Sequence, residues 1–190
     1  MSKAWTKKRG IIRHYDETAT VYNDLYREEQ EQKINEILKH MTVHGSDHVL
    51  DAGCGSGFLF EYIHNQAGHI VGVDLSKGLL RIALAHVKQD GMKTISLVRA
   101  DVDHLPFKEQ VFDKAFALTI LQDSSNLNMT LKEIARTTKN GSALAVTGLK
   151  KAFTRERLKQ VLIKQGLEPF ILDTLENVKD IIAICREYIE

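Results

Sequence analysis

Three glycines alternate with small residues directly after an acid in Asp51-Ala52-Gly53-Cys54-Gly55-Ser56-Gly57. Glycine lets a backbone turn sharply and approach a ligand closely. A helix starting just beyond presents unpaired N–H groups and the positive end of its dipole. Asp74 follows Gly53 by 21 residues, the distance at which a carboxylate ending the next strand accepts hydrogen bonds from both hydroxyls of a ribose. The pair points to an adenosine-type cofactor. A further acid, Asp101, opens the segment Asp101-Val102-Asp103-His104-Leu105-Pro106-Phe107. Its carboxylate can accept from an adenine amino group while the N–H of Val102 serves a ring nitrogen. The dinucleotide fingerprint G-x-G-x-x-G is not met, because Gly57 falls one position early and Phe58 stands where that pattern has glycine. A bulky ring there crowds the strand–helix contact and the pyrophosphate approach, which weighs against NAD.

The elements that must position these residues alternate along the chain. Ile34, Ile37, Leu38 and Met41 repeat at helical spacing, so residues 17–41 read as one or two amphipathic helices. Short apolar runs within 47–52, 69–73, 95–98, 112–118, 143–147, 170–172 and 181–184 read as strands. Helical spacing returns at Leu59, Tyr62 and Ile63; at Leu79, Ile82, Ala83, His86 and Val87, with Ser76 as N-cap; at Leu131, Ile134 and Ala135; and at Leu158, Val161 and Leu162. Strand–helix units of about thirty residues define an α/β, doubly wound, mostly parallel sheet with helices on both faces. Ligands bind at the carboxyl ends of the strands in such sheets, where Asp51–Gly57, Asp74 and Asp101 all fall.

Composition is consistent with one such domain. The chain has 190 residues, 43% of them apolar, with 26 basic and 25 acidic side chains. No run approaches the ~18 apolar residues of a membrane span, and the start has no apolar signal-peptide core, so the expectation is a cytoplasmic protein without membrane insertion. Two cysteines, Cys54 and Cys185, cannot form a four-thiolate zinc site, and no metal is expected. Lys3, Lys7, Lys8, Arg9 and Arg13 precede the first acid, so residues 1–14 read as a basic, flexible arm. Residues 15–190 then form a single domain, 15–45 being N-terminal helices and 46–190 the cofactor-binding core.

These motifs resemble those of the class I S-adenosylmethionine-dependent methyltransferases, in particular the ubiquinone/menaquinone C-methyltransferase group. Val49 to Gly57 is similar to the glycine motif, Val71 to Ser76 to the ribose segment, and Asp101 to Phe107 with Phe112-Asp113 to the adenine segment; Tyr15 to Tyr22 resembles the helix folded over the cofactor. The resemblance implies a seven-stranded sheet with one antiparallel strand and an N-terminal helical cap. It also implies S-adenosyl-L-methionine as cofactor and S-adenosyl-L-homocysteine as product. Gly53 and Gly55 would hold the methionine part, Asp51 would shape the loop, Asp74 would bind ribose, and Leu75 would pack on adenine. Asp101 and Val102 would meet the adenine edge, and Tyr15 and Tyr22 would cover the site.

The acceptor is less legible. Gln122 and Asp123 follow the fourth strand and are candidates to orient or deprotonate an acceptor, with His104 as another base. The Asn/Asp-Pro-Pro-Tyr/Phe motif of amide and adenine-N6 methylation is absent there. Only about five residues separate the fifth strand from the next helix, too few for a substrate lid, so the acceptor face is expected to be open. An open face and a basic arm favour RNA or protein as acceptor over a small molecule, or an activating partner subunit that completes the pocket. The competing readings are a small-molecule methyltransferase, an NAD-dependent oxidoreductase, and a non-catalytic methyltransferase-like subunit.

Overall fold

The structure, a computed structural model, describes residues 3–173 and 178–187. A long helix, α1 (Lys3–His40), precedes the alternating part. Then follow β1 (His48–Ala52), α2 (Phe58–Ile63), β2 (His69–Asp74), α3 (Lys77–Gln89), β3 (Ile95–Arg99), a 3-10 turn (Val102–His104), β4 (Phe112–Ala117), α4 (Leu127–Thr137), β5 (Thr138–Leu149), α5 (Arg155–Ile163), β6 (Leu167–Ile171) and β7 (Asp180–Glu187). The seven strands lie in the order β3-β2-β1-β4-β5-β7-β6. β7 runs antiparallel to both β5 and β6, and the remaining pairs are parallel. The chain order reverses at β1, the place where an open α/β sheet leaves a crevice at its carboxyl edge.

Two apolar layers fix the helices to the sheet. Ile34 and Ile37 of α1, Phe60 and Ile63 of α2 and Ala83 of α3 pack with Val49, Ile70 and Phe116 on one face. Leu131 and Ile134 of α4 and Leu158 and Leu162 of α5 pack with Leu50, Phe112 and Val146 on the other. Each such side chain, fully buried, contributes about 1.5–3 kcal/mol. Cys54 and Cys185 are free and buried, and burial pushes the Cys185 thiol up to about 12.

Three local readings are corrected. Residues 3–14 are not an arm but the first turns of α1, continuous with the helices expected from residue 15; residues 1 and 2 of the expected arm lie outside the described residues. One 38-residue helix thus replaces one or two shorter ones. No proline interrupts it, and Gly10, its only glycine, has nothing within 4 Å of an added Cβ. Its N-terminal half is held by tertiary contacts that a residue-by-residue pattern does not reveal. β5 is longer than 143–147, because Thr138 both ends α4 and pairs with Phe112, and the register then shifts so that Lys114 pairs with Ala143. Asn140-Gly141-Ser142 forms part of that bulge, with Gly141 at φ 73°.

Candidate active site

The glycine loop leaves β1 in a conformation that only glycine adopts without strain. Gly53, Gly55 and Gly57 have φ of 80°, 55° and 87°. The loop is tied to β2 because Gly53 and Cys54 both donate to the Val73 carbonyl, at 2.8 and 3.0 Å. A Cβ on Gly53 would strike the Ile120 side chain after β4, so the loop and the β4 end are in direct contact.

Asp74 ends β2 and supports the loop from the other side. Its Oδ2 accepts from the Gly55 N–H at 2.9 Å and its Oδ1 from the Ser76 N–H at 2.7 Å. A carboxylate has about four acceptor positions, so capacity remains for a ligand. Burial raises the Asp74 pKa against the lowering effect of these backbone donors. Asp51, one residue before β1 ends, is fully buried beneath the loop, and burial together with the Asp74 charge pushes it up to about 8.

The adenine-type segment also folds as a carboxylate cluster. Asp101 caps the 3-10 turn by accepting from the Asp103 N–H at 3.0 Å. Lys8 of α1 donates to Asp101 Oδ2 at 2.6 Å and to Asp103 Oδ2 at 2.5 Å, and the other oxygen of Asp103 accepts from Thr130. Burial would lower the Lys8 pKa, but the bonds and charges of the two acids prevail and hold it raised. α1 is anchored a further two turns along. Asp16 accepts from Ser76 Oγ at 2.6 Å and from the Gly78 N–H at 2.8 Å, while Ser76 Oγ caps α3 by accepting from Leu79 N at 3.1 Å. Against desolvation, these bonds and the charges of Arg99 and Arg81 keep Asp16 below the usual carboxylate range.

Two cavities meet under α1. The first, about 130 Å³, brings together Gly53, Gly55, Asp74, Leu75, Asp101 and Val102 from the strand ends with Lys8, Tyr15 and Tyr22 from the helix. The second, about 480 Å³, is lined by Tyr26, Glu29, Gln30, Lys33, Gln122, Leu149, Lys150, Lys151, Val178 and Lys179. Tyr15, Tyr22, Thr119 and Asp123 line both. Tyr15 donates to Asp123 Oδ2 at 2.8 Å, and burial raises the Tyr15 pKa, as it does that of Tyr22. Gln122 lies only on the second cavity; its Nε2 donates to the Thr119 carbonyl at 2.5 Å, and its Oε1 is buried with no partner among the described residues.

Thr119 is the pivot of this junction. It takes φ 59°, a left-handed conformation that costs a β-branched residue about 1–3 kcal/mol and occurs where surrounding bonds enforce it. Here its N–H donates to Thr147 Oγ1 at 2.7 Å and its own Oγ1 accepts from Lys33 Nζ at 2.7 Å. Lys33 also pairs with Asp180 of β7, and both side chains are 0% exposed.

Sequence reasoning thus located most of the strand-end residues, and the structure brings all of them but Asp51 and Gln122 around the first cavity. Asp51 lies beneath the loop, and His104 is exposed and lines neither cavity. The sequence reading missed Lys8, Asp16, Asp103, Thr119 and Lys33. Asp103 carries a local signal, being two residues beyond Asp101; the others act across the fold. The face expected to be open is roofed by α1, three of whose basic residues are engaged: Lys7 on the Ser124 carbonyl at 2.8 Å, Lys8 on the two acids, and Arg13 on Glu17 at 2.8 Å.

Residues 50–146 match the family described as "Methyltransferase domain". The chain belongs to that family, and with it to the class I S-adenosylmethionine-dependent methyltransferases. Among its relatives are the malonyl-[acyl-carrier protein] O-methyltransferase of Hamiltonella defensa, 31% identical over 74% of this chain and 52% of that protein, and the demethylmenaquinone methyltransferase of Alkalihalophilus pseudofirmus, 31% identical over 56% and 46%. The chain spans about half the length of the curated relatives it matches. A SAM-dependent methyltransferase from Aquifex aeolicus shares the fold, with a TM-score of 0.74 at 18% identity over 89% of this chain and 97% of that one. No helix among the described residues is long and apolar enough to cross a membrane.

The donor set fits the family's cofactor. Two strand-end carboxylates, Asp74 and Asp101, flank a loop whose positive-φ glycines leave its backbone uncovered. One feature conflicts, since Lys8 holds the Asp101 oxygen that an adenine amino group would need.

Proposed function

We propose that this chain binds S-adenosyl-L-methionine in the first cavity and methylates a small-molecule acceptor that enters through the second. The observation that carries this reading is the junction at Thr119 and Asp123, where the strand-end cavity meets a larger one lined by polar groups. Gly53, Gly55, Asp74, Leu75, Asp101 and Val102 hold the cofactor, Asp51 shapes the loop beneath it, and Tyr15 and Tyr22 wall off water above it. The bound cofactor supplies a methyl group on a positively charged sulfur, so no residue need act as nucleophile.

The chain's own residues align the acceptor and exclude solvent, which is worth up to about 7–11 kcal/mol for ideal orientation. Tyr15, its pKa raised, keeps its proton and holds Asp123 in place. The free acceptor positions of Asp123 orient an acceptor O–H or N–H and take its proton where the group is not already nucleophilic. Gln122 presents its unpaired Oε1 to the same region.

A small molecule is favoured over RNA or protein because α1 roofs the site, and Lys7 and Lys8 of its first turns are held by the Ser124 carbonyl and by Asp101 and Asp103. The names of the relatives weigh against a nucleic acid: one acts on demethylmenaquinone, a small molecule, and the other on a malonyl group borne by an acyl-carrier protein. α1 also supplies in cis the cover that the sequence reading assigns to a partner subunit. Calorimetry with S-adenosylhomocysteine and NAD tests the cofactor. The expected outcome is tighter binding of S-adenosylhomocysteine, with a stabilisation of about 4 kcal/mol at a thousandfold excess over Kd. Tighter binding of NAD would overturn the proposal.

A further inference from the structure

The charges around the second cavity do not cancel, and the excess sits at its mouth. Four lysines line it, Lys33, Lys150, Lys151 and Lys179, against the acids Glu29 and Asp123. Lys33 is neutralised by Asp180, and Lys179 by Glu29 at 3.0 Å. Asp123 accepts the Tyr15 hydroxyl, a neutral donor, and so keeps its negative charge, which leaves a net positive charge of one across the cavity. Lys150 and Lys151 remain: both are exposed, and neither makes an ion pair with a described residue.

Their placement is fixed by the backbone. They follow directly on β5, and the Lys150 N–H donates to the Lys179 carbonyl at 2.8 Å, which binds the turn to the residue before β7. Two ammonium groups lining the same cavity repel to the extent that they approach, and an anion that accepts from both offsets that repulsion and gains charge-assisted hydrogen bonds. The rings of Tyr15, Tyr22 and Tyr26 also line this cavity, with Tyr22 and Tyr26 4.8 Å apart between centroids. Such a lining suits an apolar or aromatic body.

We infer that the acceptor is an anionic small molecule, whose carboxylate or phosphate lies on Lys150 and Lys151 while its body lies along Tyr22 and Tyr26 and its reacting atom reaches Asp123. This rests on the methyltransferase reading above and adds the charge class of the acceptor. Lys150 and Lys151 are then specificity residues: they touch the substrate away from the reacting atom.

The test uses the full chain, S-adenosylmethionine carrying a labelled methyl group, and a cell extract separated into RNA, protein and small molecules, the last split by anion exchange at pH 8 into retained and unretained pools. Label is expected in the retained small-molecule pool. The double variant Lys150→Glu with Lys151→Glu should lower the rate there about tenfold or more at subsaturating acceptor, through KM rather than kcat, and leave S-adenosylhomocysteine affinity within about twofold. Label confined to the unretained pool, to RNA or to protein would overturn the inference, as would an unchanged KM in the charge-reversed variant. Failure of the unaltered chain to bind S-adenosylhomocysteine would instead overturn the methyltransferase reading itself, which separates the two.

Discussion

Asp74 links the ligand to the loop that receives it, since its two oxygens already hold Gly55 and Ser76. Asp74→Ala is therefore expected to do more than remove a ribose contact. Each charge-assisted bond lost is worth about 1.5–3 kcal/mol, so S-adenosylhomocysteine affinity should fall tenfold or more in calorimetry. The thermal midpoint should fall as well, because Gly55 and Ser76 lose their acceptor. Asp51 gives a pH signature. Its folded pKa of about 8 stands above the reference value of 3.8, so the folded chain holds a proton that the unfolded chain releases. This contribution to stability is intact below about pH 4 and is lost as pH rises toward 8. Asp51→Asn should remove that slope: between pH 5 and pH 8 the urea midpoint of the native chain should drop further than that of the variant. Equal drops would show that Asp51 titrates normally.

One of the ties between α1 and the sheet is a fully buried ion pair, Lys33 with Asp180. Lys33→Met leaves Asp180 without its partner at a fully buried position, where one of its oxygens already has none among the described residues, and should cost about 3–5 kcal/mol in urea unfolding. Combining it with Asp180→Leu removes both charges and should recover most of that loss. A double variant no more stable than the single one would mean that the pair is not the anchor. Elements like these mark the boundary of what sequence reveals. The strand–helix alternation was readable because short apolar runs mark β1 and β2, Asp74 and Asp101 because residues at or just past the end of a parallel strand lie at the ligand crevice, and Asp51 because it directly precedes the glycine loop. Lys33 and Asp180 are 147 residues apart and polar, so each reads as surface in isolation. Residues 3–14 read as an arm because their charges look solvated, whereas Lys8 finds its acids 93 and 95 residues away. The bulge in β5 escaped for a similar reason: Thr138 belongs to a strand only through its pairing with Phe112.

At the scale of the whole molecule, α1 is at once roof, wall and anchor, reaching from Lys8 over the adenine-type acids to Lys33 at β7. Asp16 and Lys8 are the fastenings of its first half. Their acids also respond to pH: Asp16, held below the usual range, keeps its stabilising bonds above the ordinary carboxylate pKa and loses them as acid protonates it. Beneath the roof, Lys8 holds the Asp101 oxygen that an adenine amino group would need, at 2.6 Å. An adenine amino group can take that oxygen only after Lys8 has released it, and the release is expected to accompany lifting of the first turns of α1. Association then has two stages, and lifting does not depend on ligand concentration. In stopped-flow mixing with S-adenosylhomocysteine the observed rate should climb at low concentration and level off at the lifting rate. Lys8→Ala should raise that ceiling, and a rate that stays proportional to concentration would mean that the roof is already ajar.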